Sequence, residues 1–556
     1  MLSVANPWDG QSPLALHRCL LCRSHFYNPM PDVSYTARYT DAASLYALAQ
    51  GTSIDFALAA ISAVAGKPGR LLDVGCGPGL IIDFWERIGL GAAVGIEPSS
   101  TGSFALDELH RNIRVLHLAE DAQVRDTVYD IVLSTEVVEH VADPALFLRE
   151  LSARVAPEGV LIFTTPDIGT LAANQAPPHH LVEALSPGFH VTLFSEKALR
   201  ALMAEIDWPY VELIKHNGHW IVYASRIRLQ PKIDPAWVDR THREYLERAA
   251  GDDGLSPYAK GIFNYRLFRK VANEGDWVKA DTLLPRLTAL LPAQVMHWTL
   301  HPETVAEGDA LSDDTLQSWV AEFYHLPAYL YLMGIRCKNH LGKIADSIHF
   351  FKIAGRLARL MVCHYLNDAY TKEIFWSARL NEGIALIEAG KEEEGMEILE
   401  QVGISMQATS LEVQSMLPQL KFATRARLEI FQQKALRGKW TEAAIALPPL
   451  QGFLATYFPQ SLLRISAWMD ARLTWPEGWN PFWYFYAEQM LLLHTGHLAE
   501  AAEGFAQLHG LCLAKVPHPE AAHFLELSRT QANVARKKMV QAKSFFPRLL
   551  AWLRRV

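Results

Sequence analysis

The stretch Arg70-Leu71-Leu72-Asp73-Val74-Gly75-Cys76-Gly77-Pro78-Gly79-Leu80 constrains the fold more than any other part of the chain. An apolar run stops at three glycines on alternate positions, and apolar residues at helical spacing, Ile81, Ile82, Trp85 and Ile88, resume directly after them. The pattern predicts a strand, a tight turn and a helix. Glycine permits positive φ and puts no Cβ in the way, so a flat ligand can lie against the backbone while the helix start offers free N–H groups to an anion. The turn is a cradle for a nucleotide-like ligand.

Its details narrow the ligand. A dinucleotide fingerprint spaces its glycines G-x-G-x-x-G; here the spacing is G-x-G-x-G and Asp73 precedes it. A second acid, Glu97, closes the next apolar run, Ala93-Val94-Gly95-Ile96, where a carboxylate can accept from both hydroxyls of a ribose. Further landmarks follow in order: Asp130-Ile131-Val132-Leu133-Ser134, then Thr135-Glu136-Val137-Val138-Glu139-His140-Val141 and Asp143-Pro144, then Ala156-Pro157-Glu158-Gly159 leading into Val160 to Pro166.

With these residues in register, roughly residues 40 to 226 resemble the class I S-adenosylmethionine-dependent methyltransferases, in the branch that includes the ubiquinone-biosynthesis O-methyltransferases. The resemblance implies an α/β fold, a Rossmann-like sheet of seven strands, with Tyr210 to His216 and Trp220 to Ser225 as its antiparallel sixth and seventh strands. It implies S-adenosyl-L-methionine as cofactor, held by Asp73, Gly75, Cys76, Gly77, Gly79, Glu97, Pro98, Ala119, Glu120 and Thr135. Many relatives carry an Asp where this chain has Leu118, which leaves backbone groups and apolar contact to hold adenine.

A sulfonium already activates its methyl carbon, so the protein must chiefly align a nucleophile and keep water out. A hydroxyl acceptor still benefits from a base. The candidates are His190, in the long segment from Asp167 to Phe194 that suits a lid, and His140, at a helix start where a structural role competes. No resident metal is expected. Cys19 and Cys22 form a C-x-x-C like the second knuckle of a zinc ribbon, with His17 and His25 nearby. Structural zinc takes four ligands, no earlier C-x-x-C exists, and packing of the flanking aromatics is the competing reading.

The chain's 556 residues are long enough for about three domains. We expect an N-terminal segment over 1–34, the methyltransferase-like domain over 35–228 and an all-helical domain over 229–556. In the last part a glycine closing one helix recurs five residues before a small residue: Gly275 with Ala280, Gly342 with Ser347, Gly390 with Gly395, Gly438 with Ala443 and Gly496 with Ala501. Left-handed glycines end helices and small side chains allow close approach, as in tetratricopeptide hairpins, which this region resembles at a longer repeat. Such a stack offers a groove for a protein partner.

Net charge is -8, which gives no overall attraction for nucleic acid. Six scattered cysteines, no leader-like start and no bilayer-length apolar run predict a cytoplasmic, reduced protein. The basic, aromatic stretch from Arg536 to Val556 serves either as a terminal cap or as a membrane-surface helix. The expected activity is methyl transfer to a hydroxyl of a small molecule or glycan. The rival readings are a non-catalytic cofactor-binding scaffold and a protein methyltransferase whose repeats present the substrate.

Overall fold

The structure is a computed structural model. It describes residues 2–4, 14–30, 52–64, 68–114, 118–168, 189–364, 369–404 and 497–514, with scattered positions within 426–434, 485–492 and 528–535. The expectations for Tyr35, Tyr39 and Tyr46, for most of the lid with His179 and His180, for Gly438, Gly496 and Ala443, and for Arg536 to Val556 fall outside the described residues.

Strands are numbered in chain order: β1 Leu2–Val4, β2 Leu14–Arg18, β3 His25–Tyr27, β4 Leu71–Val74, β5 Ala93–Ile96, β6 Ile113–Arg114, β7 Tyr129–Thr135, β8 Val155–Pro166, β9 Thr192–Leu193, β10 Tyr210–His216 and β11 His219–Ser225. Seven of them form one sheet in the order β10-β11-β8-β7-β4-β5-β6. The pairings from β6 through β8 are parallel, whereas β11 runs antiparallel to both β8 and β10. This is the mixed seven-stranded sheet of a Rossmann-like class I methyltransferase fold.

The central strands are apolar on both faces because helices cover both. Leu72, Val132, Leu161 and Val222 are fully buried in one core with Leu148, Leu151 and Leu199 from flanking helices. Helix entries follow their caps. Asp143 Oδ1 accepts from Leu146 N at 2.9 Å with Pro144 in the first turn, and Ser195 Oγ accepts from Ala198 N at 3.1 Å.

A second sheet, in the order β1-β2-β3-β9, joins the N-terminal hairpin to a strand of the lid segment. Cys19 and Cys22 sit in the β2–β3 turn, where Cys19 N donates to Ser24 O and Arg23 N to Cys19 O. His17 stacks on Phe26 with ring centroids 5.7 Å apart. The hairpin is thus ordered by aromatic packing and by turn hydrogen bonds.

The chain divides into two compact units, Met1–Phe375 and Trp376–Val556. In the first, helices beyond the sheet pack on the outer side of the Leu80–Ile88 helix. Arg87 pairs with Asp252 at 2.7 Å, Arg248 Nη1 donates to Arg87 O at 2.7 Å, and Phe84 meets Tyr245 edge to face. The helix pairs Pro257–Asn273 with Trp277–Leu283, and Ala369–Glu388 with Glu392–Ile404, turn at Gly275 and Gly390. Gly342 likewise precedes the Ile344–His364 helix, and the three glycines have φ of 81°, 66° and 84°. Ala280 and Ser347 after them are fully buried, and a Cβ on Gly395 would lie 2.6 Å from Gly383 O. Within the second unit Ala501, Phe505 and Ala535 share a small core. Among the described residues, no helix is long and apolar enough to cross a membrane.

Candidate active site

The carboxyl ends of β4, β5, β7 and β8 lie along one edge of the sheet, the edge where α/β folds open a crevice. At the end of β4 the three glycines of the turn take left-handed backbone, with φ of 78°, 50° and 73° at Gly75, Gly77 and Gly79. Gly79 caps the Leu80–Ile88 helix. A side chain on Gly75 would strike Val137 Cγ2 at 2.4 Å, whereas one on Gly77 would meet nothing within 4 Å. The turn therefore packs on one side and is open on the other.

Glu97 stands at that opening. Its Oε2 accepts from Gly77 N at 2.9 Å, and its Oε1 accepts from Ser99 N and Oγ at 2.9 and 2.6 Å. Oε2 has accepted one bond and keeps a second acceptor direction, so a ribose hydroxyl can still reach it. Cys76 N and Gly75 N donate to Ile96 O, which locks the turn to β5. The Cys76 thiol faces the space above Gly95, and burial, then Asp73 and Glu97, hold it well above its ordinary pKa.

Asp73 is 1% exposed, and its Oδ1 has no hydrogen-bond partner. Burial, then the charge of Glu97, pushes its carboxyl up to about 8. Two acids beside an open glycine turn suit a ligand that brings positive charge and hydroxyls. Orphaned Asp73 is the observation by which an adenosyl sulfonium with its amino group fits. Pro98 is exposed and follows Glu97. The third strand expected over Ile113 to Leu118 is described only at Ile113–Arg114, and Leu118 already belongs to the short helical turn Leu118–Glu120. Leu118 is buried, and Glu120 is exposed.

The other half of the edge is built after β7. Thr135 ends that strand beside Thr164, and Ser134 Oγ donates to Val74 O at 2.9 Å, aligning the two strand ends. Glu136 then takes φ of 55°, unusual for a residue with a side chain. Its carboxylate accepts from Thr164 Oγ1 at 2.6 Å and pairs with His219 Nε2 at 3.2 Å. Burial opposes ionisation of Glu136, but the contacts with His219 and Thr164 outweigh it and lower its pKa. His219 is raised by the same pairing against its own burial. Its Nδ1 lies 2.9 Å from Asn217 O, and the Phe56 ring meets its own at a tilt, with centroids 4.2 Å apart.

One turn on, Glu139 is fully buried and neither oxygen meets a hydrogen-bond partner of good geometry. Burial, then the adjacent Glu136, holds it well above the usual carboxylate range. Both candidate histidines close on it: His140 Nε2 at 3.9 Å and His190 Nε2 at 4.0 Å from Oε1. Their rings meet edge to face at 4.8 Å. Val191 N and Thr192 N donate to Glu139 O, and Phe189 O lies 3.0 Å from His140 Nδ1, which assigns the proton to Nδ1 and the lone pair to Nε2. Burial lowers the His140 pKa, keeping its ring neutral.

Residues 49–213 match a family model described as methyltransferase domain. This part of the chain is a methyltransferase domain. Over 102 residues, 17% of this chain and 38% of the relative, it is 39% identical to a ubiquinone biosynthesis O-methyltransferase of Nitrobacter winogradskyi. Over 106 residues, 17% of this chain and 39% of the relative, it is 37% identical to one from Rhodopseudomonas palustris. The chain thus spans less than two-fifths of the length of these curated relatives. A solved O-methyltransferase family protein from Burkholderia thailandensis is 11% identical, covers 34% of this chain and 60% of its own, and superposes with a TM-score of 0.30.

Within the methyltransferase domain, the glycine turn, Asp73, Cys76 and Glu97 come together, and so do His140 and His190. Glu136 and Glu139 sit between those two groups in sequence and were read only as part of a motif. His219 was missed. The signal that could have found it is Asn217-Gly218, both at positive φ, a hairpin turn that delivers the next residue to the carboxyl edge of β8.

Proposed function

We propose that the protein transfers a methyl group from S-adenosyl-L-methionine to an acceptor hydroxyl on a small molecule or glycan. The observation that carries this reading is the pairing of an open Gly77 with Glu97 on its N–H, beside the orphaned carboxyl of Asp73. The likeness to proteins named as O-methyltransferases favours oxygen over nitrogen or carbon as the atom methylated.

The cofactor supplies an activated methyl carbon. This chain's residues do the rest. Glu97 takes the ribose hydroxyls, the glycine turn lets the ligand lie against the backbone, and Asp73 faces its positive charge. Ala119 and Glu120 belong to the adenine side, and Thr135 borders the methyl group.

On the acceptor side His140 Nε2 takes the hydroxyl proton, and His190 fixes the ring from its edge. Glu136 and His219 form a charged pair beside them that orients an incoming polar acceptor. The helical part is an interaction or presentation surface.

A second reading of the acceptor side also has an observation behind it. Glu139, His140 and His190 offer ligand atoms within 4.8 Å of one another, around a buried carboxyl with no hydrogen bond. Three such donors can hold a divalent cation.

Calorimetric titration with S-adenosyl-L-methionine, followed by transfer of labelled methyl to a panel of hydroxyl acceptors, tests the proposal; silence in the titration ends it. Chelation separates the two readings of the histidine cluster. EDTA leaves turnover unchanged if the cluster moves protons, and it abolishes turnover, restorably by a divalent metal, if the cluster holds a cation.

A further inference from the structure

The β2–β3 turn carries two thiols for which methyl transfer has no use. Cys19 directly follows β2, Cys22 comes three residues later, and residues 20–22 form the turn itself. The backbone closes it twice, with Cys19 N donating to Ser24 O at 2.8 Å and Arg23 N donating to Cys19 O at 3.0 Å. Arg23 takes φ of 71°, the bend that returns the chain to β3. A turn this tight keeps its first and fourth Cα atoms within about 7 Å, the separation that a disulfide spans.

The turn is also held from outside. Ser195 Oγ donates to Cys22 O, Ser195 N donates to Ser24 Oγ at 3.0 Å, and Lys197 Nζ donates to Leu21 O at 2.8 Å. These contacts fall on carbonyls and on Ser24, so the turn keeps its shape while both cysteines stay free thiols. Their settings differ. Cys22 packs against the core of the large sheet, whereas Cys19 stands at the tip beside exposed Leu20 and Leu21.

The surroundings of Cys19 favour the thiolate. The N–H groups of Cys22 and then Leu21 point at its sulfur, the Cys22 thiol donates to it, and these contacts outweigh burial and lower its pKa. Residues 14–30 include Arg18 and Arg23 and no Asp or Glu, and Lys197 reaches the same turn. An anionic reagent is therefore not repelled by this hairpin. The other described cysteines are set differently: Cys76 and Cys337 are buried, and Cys363 is exposed near the end of a helix.

We propose that Cys19 and Cys22 form a redox-active dithiol, with Cys19 as the attacking thiolate and Cys22 as the resolving thiol, whose substrates are low-molecular-weight disulfides. The Cys19 sulfur attacks one sulfur of the reagent, the reagent's S–S bond breaks, and the departing thiolate takes a proton from water. Cys22 gives its proton to water and attacks the Cys19 sulfur of the mixed disulfide, expelling the second thiolate, which is protonated in turn. Two thiols are oxidised to one disulfide and one reagent disulfide is reduced to two thiols. The assignment of the methyl-transfer centre plays no part in this.

The test uses the reduced full-length protein with oxidised glutathione at neutral pH. Trypsin cuts after Arg18 and Arg23, so both thiols fall in the single peptide 19–23 and mass spectrometry reads their state directly. That peptide is expected to lose two hydrogens and to regain them with dithiothreitol. Cys22→Ala, and Cys22→Ser as a second version, should stop at glutathione bound to Cys19. In the wild type, iodoacetamide should label Cys19 several-fold faster than Cys363.

Thermal melting confirms that each variant is folded. Absence of a disulfide within peptide 19–23 in excess oxidised glutathione overturns the proposal. So does a Cys19→Ser variant whose Cys22 takes glutathione as fast as the wild-type pair oxidises, because Cys22 would then be the attacking group. Thiols that stay unreactive until a chelator is added would belong to a metal site, which overturns it as well.

Discussion

The two halves of the strand edge are built in opposite ways. The half proposed to hold the cofactor is local: Asp73, the three glycines and the helix they cap are consecutive, and Glu97 arrives one strand later. The half proposed to face the acceptor is assembled from afar, with Glu136, Glu139 and His140 after β7, His190 from the far end of the lid segment, and His219 from the last hairpin. A local site can be specified by a short motif. An assembled one depends on the register of the whole sheet, which is where an acceptor preference can change without disturbing the cofactor.

The largest expected effect falls on the acceptor half alone. His140→Ala should lower kcat by about 10²- to 10⁴-fold, the span of general-base help, and leave S-adenosyl-L-methionine affinity unchanged. An equal loss of cofactor affinity would erase the division between the halves. The mirror experiment is Glu97→Ala, expected to weaken cofactor binding by roughly 100-fold through lost charge-assisted hydrogen bonds.

The division was only partly visible in the chain. Glycines at positive φ announce themselves, because few other residues take that backbone, and an acid closing the next strand follows the same repeat. The first and last strands were legible from their apolar runs. The pairing of His140 with His190 was not, since nothing at position 140 encodes that residue 189 will offer it a carbonyl. His219 carries no motif of its own; only the Asn217-Gly218 turn marks where it must land. Leu118, read as the end of a strand, sits in a helical turn.

A smaller effect sharpens the electrostatics of the cofactor half. In the free protein Asp73 is neutral below its pKa of about 8. A cationic ligand favours the ionised form, so affinity for S-adenosyl-L-methionine should rise with pH, by up to about 10-fold per unit, and level off above that value. Asp73→Asn should flatten the profile. S-adenosylhomocysteine, which lacks the sulfonium charge, should show a shallower slope than its methylated counterpart.

The smallest effect belongs to the acceptor half. The folded state raises the pKa of His219 above 6.5 and lowers that of Glu136 below 4.5. Stability from His219 is complete below its unfolded value and drains away as pH rises through the folded one. Stability from Glu136 is complete above its unfolded value and is lost as pH falls through the folded one. The pair therefore contributes most between those two limits, and His219→Asn should lower the melting temperature by a few degrees there and by less at high pH. A uniform loss at every pH would assign His219 to packing against Phe56 instead.

The small sheet that joins β3 to β9 ties the opening of the chain to the lid segment. Ser195, which caps the helix Glu196–Glu205, donates its hydroxyl proton to Cys22 O, and its amide donates to Ser24 Oγ across 171 positions of sequence. Lys197 reaches Leu21 O at 2.8 Å. A ribosome must therefore finish most of the methyltransferase domain before the first hairpin finds its neighbour. Trimming or tagging near Leu14 would be felt not at the surface but at His190, two residues before β9, the strand that β3 joins to the hairpin.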